Sequence, residues 1–165
     1  MSIRCLCMAP DRTLRTPARA VEAFTESFQI LVRDLIETMY ANDGIGLAAP
    51  QIGQAIQVFV ANPSRQRGRE VVVANPILEG RDGTVWVREG CLSLPRVWAK
   101  VRRAARIRLR GQDLSGEPLQ IEADGFAAVV FQHEYDHLHG TLLIDRLPWY
   151  HPRRLRARLT WGSCA

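Results

Sequence analysis

His133-Glu134-Tyr135-Asp136-His137 places two imidazoles four positions apart, with a carboxylate directly after the first. If this stretch is helical, residues four apart lie on one face a single turn apart, and both rings can reach one metal ion. Glu134 then sits roughly 100° around the helix from His133. It can reach a water on that ion without becoming a ligand. The pattern also arises by chance in helices that bind nothing. Three of the four histidines, however, fall at positions 133, 137 and 139, which favours a metal. His139 points elsewhere and reads as a surface or helix-end residue. The implied chemistry is hydrolysis by an activated water, with Glu134 handling the proton.

A catalytic ion of this kind needs a third protein ligand and an open position. One metalloprotease pattern puts a histidine six residues after His137, but that position is Leu143, and no glutamate follows Glu134. The third ligand should therefore come from upstream. Cys91 is the best candidate, in Glu89-Gly90-Cys91-Leu92-Ser93-Leu94-Pro95. A thiolate is a strong ligand for zinc or ferrous iron, and the glycine beside it lets backbone come close. From this segment alone a buried structural cysteine is the plainer reading. A third segment, Gly44-Ile45-Gly46-Leu47-Ala48-Ala49-Pro50-Gln51-Ile52-Gly53, lacks the ending of a phosphate-binding loop. Its small residues and single glutamine suit a wall where backbone meets substrate. Taken alone it reads as a helix-ending turn and a tight crossing.

Together the three segments resemble the motifs of the peptide deformylases. Gly44–Gly53 is similar to their G-x-G-L-A-A-x-Q, Glu89–Ser93 to E-G-C-L-S, and Gln132–His137 to Q-H-E-x-D-H, in the same order and at similar spacing. Pro10-Asp11-Arg12-Thr13-Leu14-Arg15 extends the resemblance toward the start. It implies removal of the N-formyl group from the first methionine of new proteins, with release of formate. It implies one divalent ion per chain, ferrous iron in the cell with zinc or nickel able to replace it, held by Cys91, His133 and His137. Glu134 would move the proton. The Leu92 backbone N–H and the Gln51 side chain would stabilise the oxyanion. Ile45, Gly46, Glu89 and Gly90 would flank the peptide, with Gly46 and Gly90 offering backbone hydrogen bonds. Val87, Phe126, Val129 and Val130 would line a methionine pocket, although their periodicity alone reads as core. Trp98 stands where the family often carries arginine, and would reshape the pocket rim.

These residues need elements to carry them. Phe28, Leu31, Val32, Leu35, Ile36 and Met39 recur at helical spacing, so a helix is expected from about Phe24 to Tyr40, closed by Asn42-Asp43-Gly44. Strand signals follow at Ala55–Ala61, Glu70–Asn75 and Thr84–Arg88. Ala105–Arg110 and Pro118–Glu122 read as a hairpin around Asp113-Leu114-Ser115-Gly116. The motif helix should run from a cap at Asp124 to about His139, stopped by Gly140. Residues 1–22 read as an irregular arm, with Cys5 and Cys7 as ordinary strand or near-strand residues. A short basic helix is expected after Pro152. The order of elements predicts an α+β fold, a compact single domain over residues 1–165. The resemblance implies a central metal-binding helix against curved, mostly antiparallel sheet.

Composition sets outer bounds. The chain has 165 residues, 47% hydrophobic and 24% charged, within the range of ordinary globular domains. No apolar run approaches the roughly 18 residues of a membrane-crossing helix. The start does not look like a secretory signal, so a cytoplasmic location is expected. Four separated cysteines are too few for a disulfide framework. The net charge is +5. Arg106, Arg108 and Arg110 alternate with apolar residues, the pattern of a strand with one wet face. The basic tail, residues 151–165, could meet ribosomal RNA, and weak ribosome association is expected of it. A monomer is expected, with formyl-methionyl nascent peptides as partners and no membrane or specific DNA contact. Three other readings remain: a hydrolase for another acylated amine, a non-catalytic module, and a nucleic-acid binder with structural zinc. An intact Glu134 and Gln51 argue against the second. The third needs a fourth ligand, and none is evident near the motifs.

Overall fold

The computed structural model describes residues 2–147. The expected basic tail, and the helix after Pro152, lie outside the described residues. Helix α1 spans Glu26–Ala41. Thr25 caps it, its hydroxyl accepting from the Phe28 N–H at 3.4 Å. Phe28, Val32, Leu35 and Met39 form its buried stripe. Phe24 stays outside the helix and packs edge-on against Phe28, with ring centroids 5.1 Å apart.

The strands are β1 (Gly46–Ala48), β2 (Val58–Ala61), β3 (Val71–Asp82), β4 (Val85–Cys91), β5 (Leu94–Arg103), β6 (Arg106–Gln112) and β7 (Pro118–Asp124). Five of them make an antiparallel sheet in the order β1-β2-β3-β6-β7, while β4 and β5 form a separate antiparallel hairpin. Helix α2 spans Gly125–Leu138. This is the α+β arrangement expected from the order of elements.

Strand β2 shows how the layers are set. Val58 and Val60 pack with α1 residues Val32, Leu35 and Met39. Phe59 and Ala61 pack with Ala128, Val130 and Phe131 of α2. Alternate side chains of a strand point to opposite faces, so the two helices cover opposite sides of the sheet. A third cluster joins Leu94, Ala99 and Val101 of the hairpin to Leu14, Leu142, Leu143 and Ile144.

Several details depart from expectation. Strands β1 and β5 carry no clear sequence signal. β1 is Gly-Leu-Ala, two of three being poor strand formers, and it exists because β2 pairs with it. In β5 the alternation is broken near its start, where Arg96 has φ of 63° and the register with β4 shifts. Asp124 occupies the N-cap of α2, but its side chain makes no capping hydrogen bond. Cys5 and Cys7 lie in the irregular arm, not in a strand. Gly140, with φ of 67°, follows α2 as expected, and a methyl there would lie 2.5 Å from the Arg15 carbonyl oxygen.

Candidate active site

Helix α2 is buried along most of its length, and its His133, Asp136 and His137 side chains reach the hairpin residues Glu89, Arg103 and Cys91. The Nε2 atoms of His133 and His137 lie 3.2 Å apart. Cys91 Sγ, at the end of β4, lies 3.3 Å from His137 Nε2. The three donor atoms all fall within 4.8 Å of one another. A tetrahedral centre with ordinary metal–nitrogen and metal–sulfur bonds needs ligand atoms roughly 3.3–3.6 Å apart. The donor set, one thiolate and two imidazoles, and its convergence therefore fit a single divalent ion. Among the described residues no fourth acidic, cysteine or histidine side chain joins the group, as an open catalytic position requires.

The two imidazoles end on opposite sides of their usual value. Burial holds His137 well below its usual value, and the charges of His133 and Arg103 add to this. Burial also acts to lower His133, but hydrogen bonds with Cys91 and Glu89 outweigh it and raise that ring well above its usual value. An ion binding here displaces protons from the set, as ligand sites generally require.

Glu134 is buried, and its Oε2 has no hydrogen-bond partner among the described residues. Burial pushes its carboxyl up to about 7. Gly46 is what makes room for it. A methyl at residue 46 would lie 2.3 Å from Glu134 Oε1. Gly44 does the same for the second motif: a methyl there would lie 2.9 Å from Leu92 Cδ1. The two glycines of the first motif thus admit one residue from each of the other two.

Gln51 is buried and fixed by its own amide. Its Oε1 accepts from the Ala48 N–H at 2.8 Å, and its Nε2 donates to Ser93 Oγ at 3.2 Å. The same Nε2 lies 3.8 Å from Cys91 Sγ. The irregular arm pins both neighbours, because Cys7 N–H bonds the Gln51 carbonyl and Ala9 N–H bonds that of Ser93.

Behind His133 lies a buried charged chain. His133 Nδ1 meets Glu89 Oε2 at 2.8 Å. Arg103 grips Glu89 with two hydrogen bonds, at 2.7 and 2.9 Å, and donates to Asp136 at 2.6 Å. Arg146 closes the chain on Asp136, bonding both carboxylate oxygens. Burial alone would raise the Glu89 carboxyl, but Arg103 and His133 overrule it and bring it down to about 2. Burial would likewise lower Arg103, and its two carboxylates raise it instead. Such a carboxylate on the far nitrogen of a ligating histidine fixes ring orientation and tautomer.

The sequence motifs assign no role to Ser93, Arg103, Asp136 or Arg146. The signal for Arg103 is present but easily misread. It follows Val97, Ala99 and Val101 at alternate positions, so it belongs to the buried face of β5 and not to a wet sheet. Arg106, Arg108 and Arg110 do form the expected exposed face. Gln132, the first residue of the third motif, clamps the backbone N–H and C=O of Ala104.

The residues expected around a substrate are less tightly gathered. Ile45, Gly46, Glu89 and Gly90 adjoin Glu134 or Cys91 in the chain or in space. Val129 and Val130 are buried on α2, whereas Phe126 is exposed. Val87 packs with the hairpin cluster and Val130 with the sheet cluster. Trp98 is exposed and lies across Gly90, where a methyl would touch its ring at 3.3 Å.

The chain was compared with known proteins. Residues 3–152 match the family described as Polypeptide deformylase. A peptide deformylase of Chromobacterium violaceum is 40% identical over 150 residues, covering 91% of this chain and 90% of its own. The crystal structure of a peptide deformylase from Legionella pneumophila superposes with a TM-score of 0.91 at 37% identity, covering 96% of this chain and 94% of that one. That of the Thermotoga maritima enzyme gives 0.86 at 39% identity, covering 90% and 99%.

Proposed function

This chain belongs to the polypeptide deformylase family and is a metal-dependent hydrolase that removes the N-formyl group from the first methionine of new proteins, and on that premise we propose which residues perform the reaction. Cys91, His133 and His137 hold the ion. Ferrous iron is the resident metal, with zinc or nickel able to fill the same donors, since thiolate and imidazole suit all three. When bound, the ion acts as a Lewis acid and makes water nucleophilic near neutral pH.

The remaining work falls to the chain. Glu134 takes a proton from the attacking water and returns it to the leaving amine. What supports this is a buried, unpartnered carboxylate oxygen beside the donor set. Gln51 Nε2 and the Leu92 N–H donate to the oxyanion that forms at the formyl oxygen as water adds to the formyl carbon. Gln51 suits this because Ala48 fixes which end of its amide faces Cys91. The thiolate lends charge to the ion and weakens it as an acid, so Glu134 and these donors carry a larger share of the barrier. Glu89 orients His133 and also flanks the peptide with Ile45, Gly46 and Gly90. Val87, Phe126, Val129 and Val130 receive the methionine side chain, and Trp98 stands at the rim.

The single observation that carries this assignment is the convergence of Cys91, His133 and His137 with Glu134 beside them. Formate release from formyl-Met-Ala-Ser by anaerobically prepared protein, with metal content measured, tests it. Wild type should release formate, and Glu134→Ala should not while still holding one ion. A Glu134→Ala enzyme that turns over normally would sink the proposed role. The protein acts as a monomer in the cytoplasm and meets ribosomes weakly through residues 151–165. Equal ribosome pelleting with and without those residues would remove that last element.

A further inference from the structure

The β4–β5 hairpin has two faces. Glu89 and Cys91 serve the active site from one. The other carries three cross-strand pairs, Trp86 with Arg102, Arg88 with Lys100 and Gly90 with Trp98. Apart from Gly90, all of these residues are exposed, Trp86 by 51% and Trp98 by 60%. The Arg88 guanidinium lies over the Trp98 ring, 5.5 Å from its centroid.

The charges on this face are unbalanced. On strand β6 each exposed arginine has an acid: Arg106 pairs with Asp82, Arg108 with Glu122 and Arg110 with Glu79. On the hairpin no carboxylate stands among the three pairs. Among the described residues, Arg88, Lys100 and Arg102 form no ion pair. Arg88 and Lys100 face each other directly, and like charges so placed destabilise a hairpin. Two indoles left half in water add a further cost of exposure. An anionic partner with flat rings would relieve both.

We propose that this outer face of the β4–β5 hairpin binds single-stranded RNA. Cations at Arg88, Lys100 and Arg102 meet the phosphates, and Trp86 and Trp98 offer ring faces on which bases stack. An acidic peptide would satisfy the charges but leave the indoles without partners. Trp86 and Gly90 are four residues apart on one strand, so the two indoles are spaced along roughly 13 Å of hairpin. That is room for a short stretch of single strand. Trp98 also stands at the rim of the proposed methionine pocket, so the test is confined to Trp86, Lys100 and Arg102, which have no part in the catalytic assignment.

The test is quenching of tryptophan fluorescence in the full chain by an oligouridylate of about ten nucleotides, read against salt. Three phosphate contacts predict a slope of log affinity against log salt of about −2, since single strands lose roughly 0.7 per contact. Lys100→Glu with Arg102→Glu should weaken binding at least tenfold. Trp86→Ala should weaken it severalfold and reduce the quenching. Both variants should deformylate formyl-Met-Ala-Ser within about twofold of wild type, which also certifies their folding. Unchanged affinity in the double variant would overturn the proposal and place any binding elsewhere. So would a polyglutamate peptide that binds as well as the oligonucleotide and is indifferent to Trp86→Ala.

Discussion

Glu134 and Gly46 act as a pair. The carboxylate occupies the space that any side chain at residue 46 would take. Gly46→Ala should therefore displace Glu134 and lower kcat by roughly 10² or more, the usual worth of a positioned acid–base group. Metal content should stay at one ion. A Gly46→Ala enzyme with normal turnover would show that the carboxylate can move without consequence. Gln51 invites a parallel test. Its Gln51→Ala variant should lose on the order of 10²–10³ in kcat with little change in KM. Ser93→Ala should lose less, because Ala48 still orients the amide.

At the scale of elements, the site depends on how the hairpin meets α2. Arg103 on β5 joins Glu89 on β4 to Asp136 on α2, and Arg146 neutralises Asp136 from the following turn. Removing Arg103 strips a cationic partner from two buried carboxylates, Glu89 and Asp136. Arg103→Met should cost about 3–5 kcal/mol of stability, as broken buried pairs do. Arg146→Met is the gentler probe, since Arg146 is partly exposed. It should speed metal release to a chelator by roughly tenfold, the lower end for residues behind a ligand. Identical release rates would confine Arg146 to a structural role.

For the molecule as a whole, the N-terminal arm matters more than its irregularity implies. Its backbone bonds Gln51 and Ser93, and Arg4 and the Ser2 N–H hold the buried Asp34 of α1. Burial alone would raise the Asp34 carboxyl, but the Ser2 and Arg4 bonds bring it below its ordinary value. A folded-state value below the unfolded one means that the stabilisation is present above the unfolded value, near 4. It is lost as pH falls through the folded value. In urea melts, Asp34→Asn should be less stable than wild type at pH 7, and the gap should narrow toward pH 3. A gap that widens in acid would reverse the sign and refute the linkage.

The two histidines and the glutamate proposed for the site on α2 were legible as a group because their spacing is local. His133, Glu134 and His137 share one helix turn, and helical geometry alone aligns them. α1, most strands and the α+β order were likewise set by periodicity. Cys91 was legible only through its motif, since no local rule brings residue 91 to residue 137. The tertiary structure decided what rests on distant chain segments meeting. It paired β1 to β2 despite poor strand residues, and turned Arg103 inward to bridge β4 and α2. It also set Gly46 against Glu134 across 88 positions of sequence. Periodicity reports which side of an element is buried. It carries no record of what stands opposite, and the charged chain, the glycine cradle and the cationic hairpin face are all relations of that second kind.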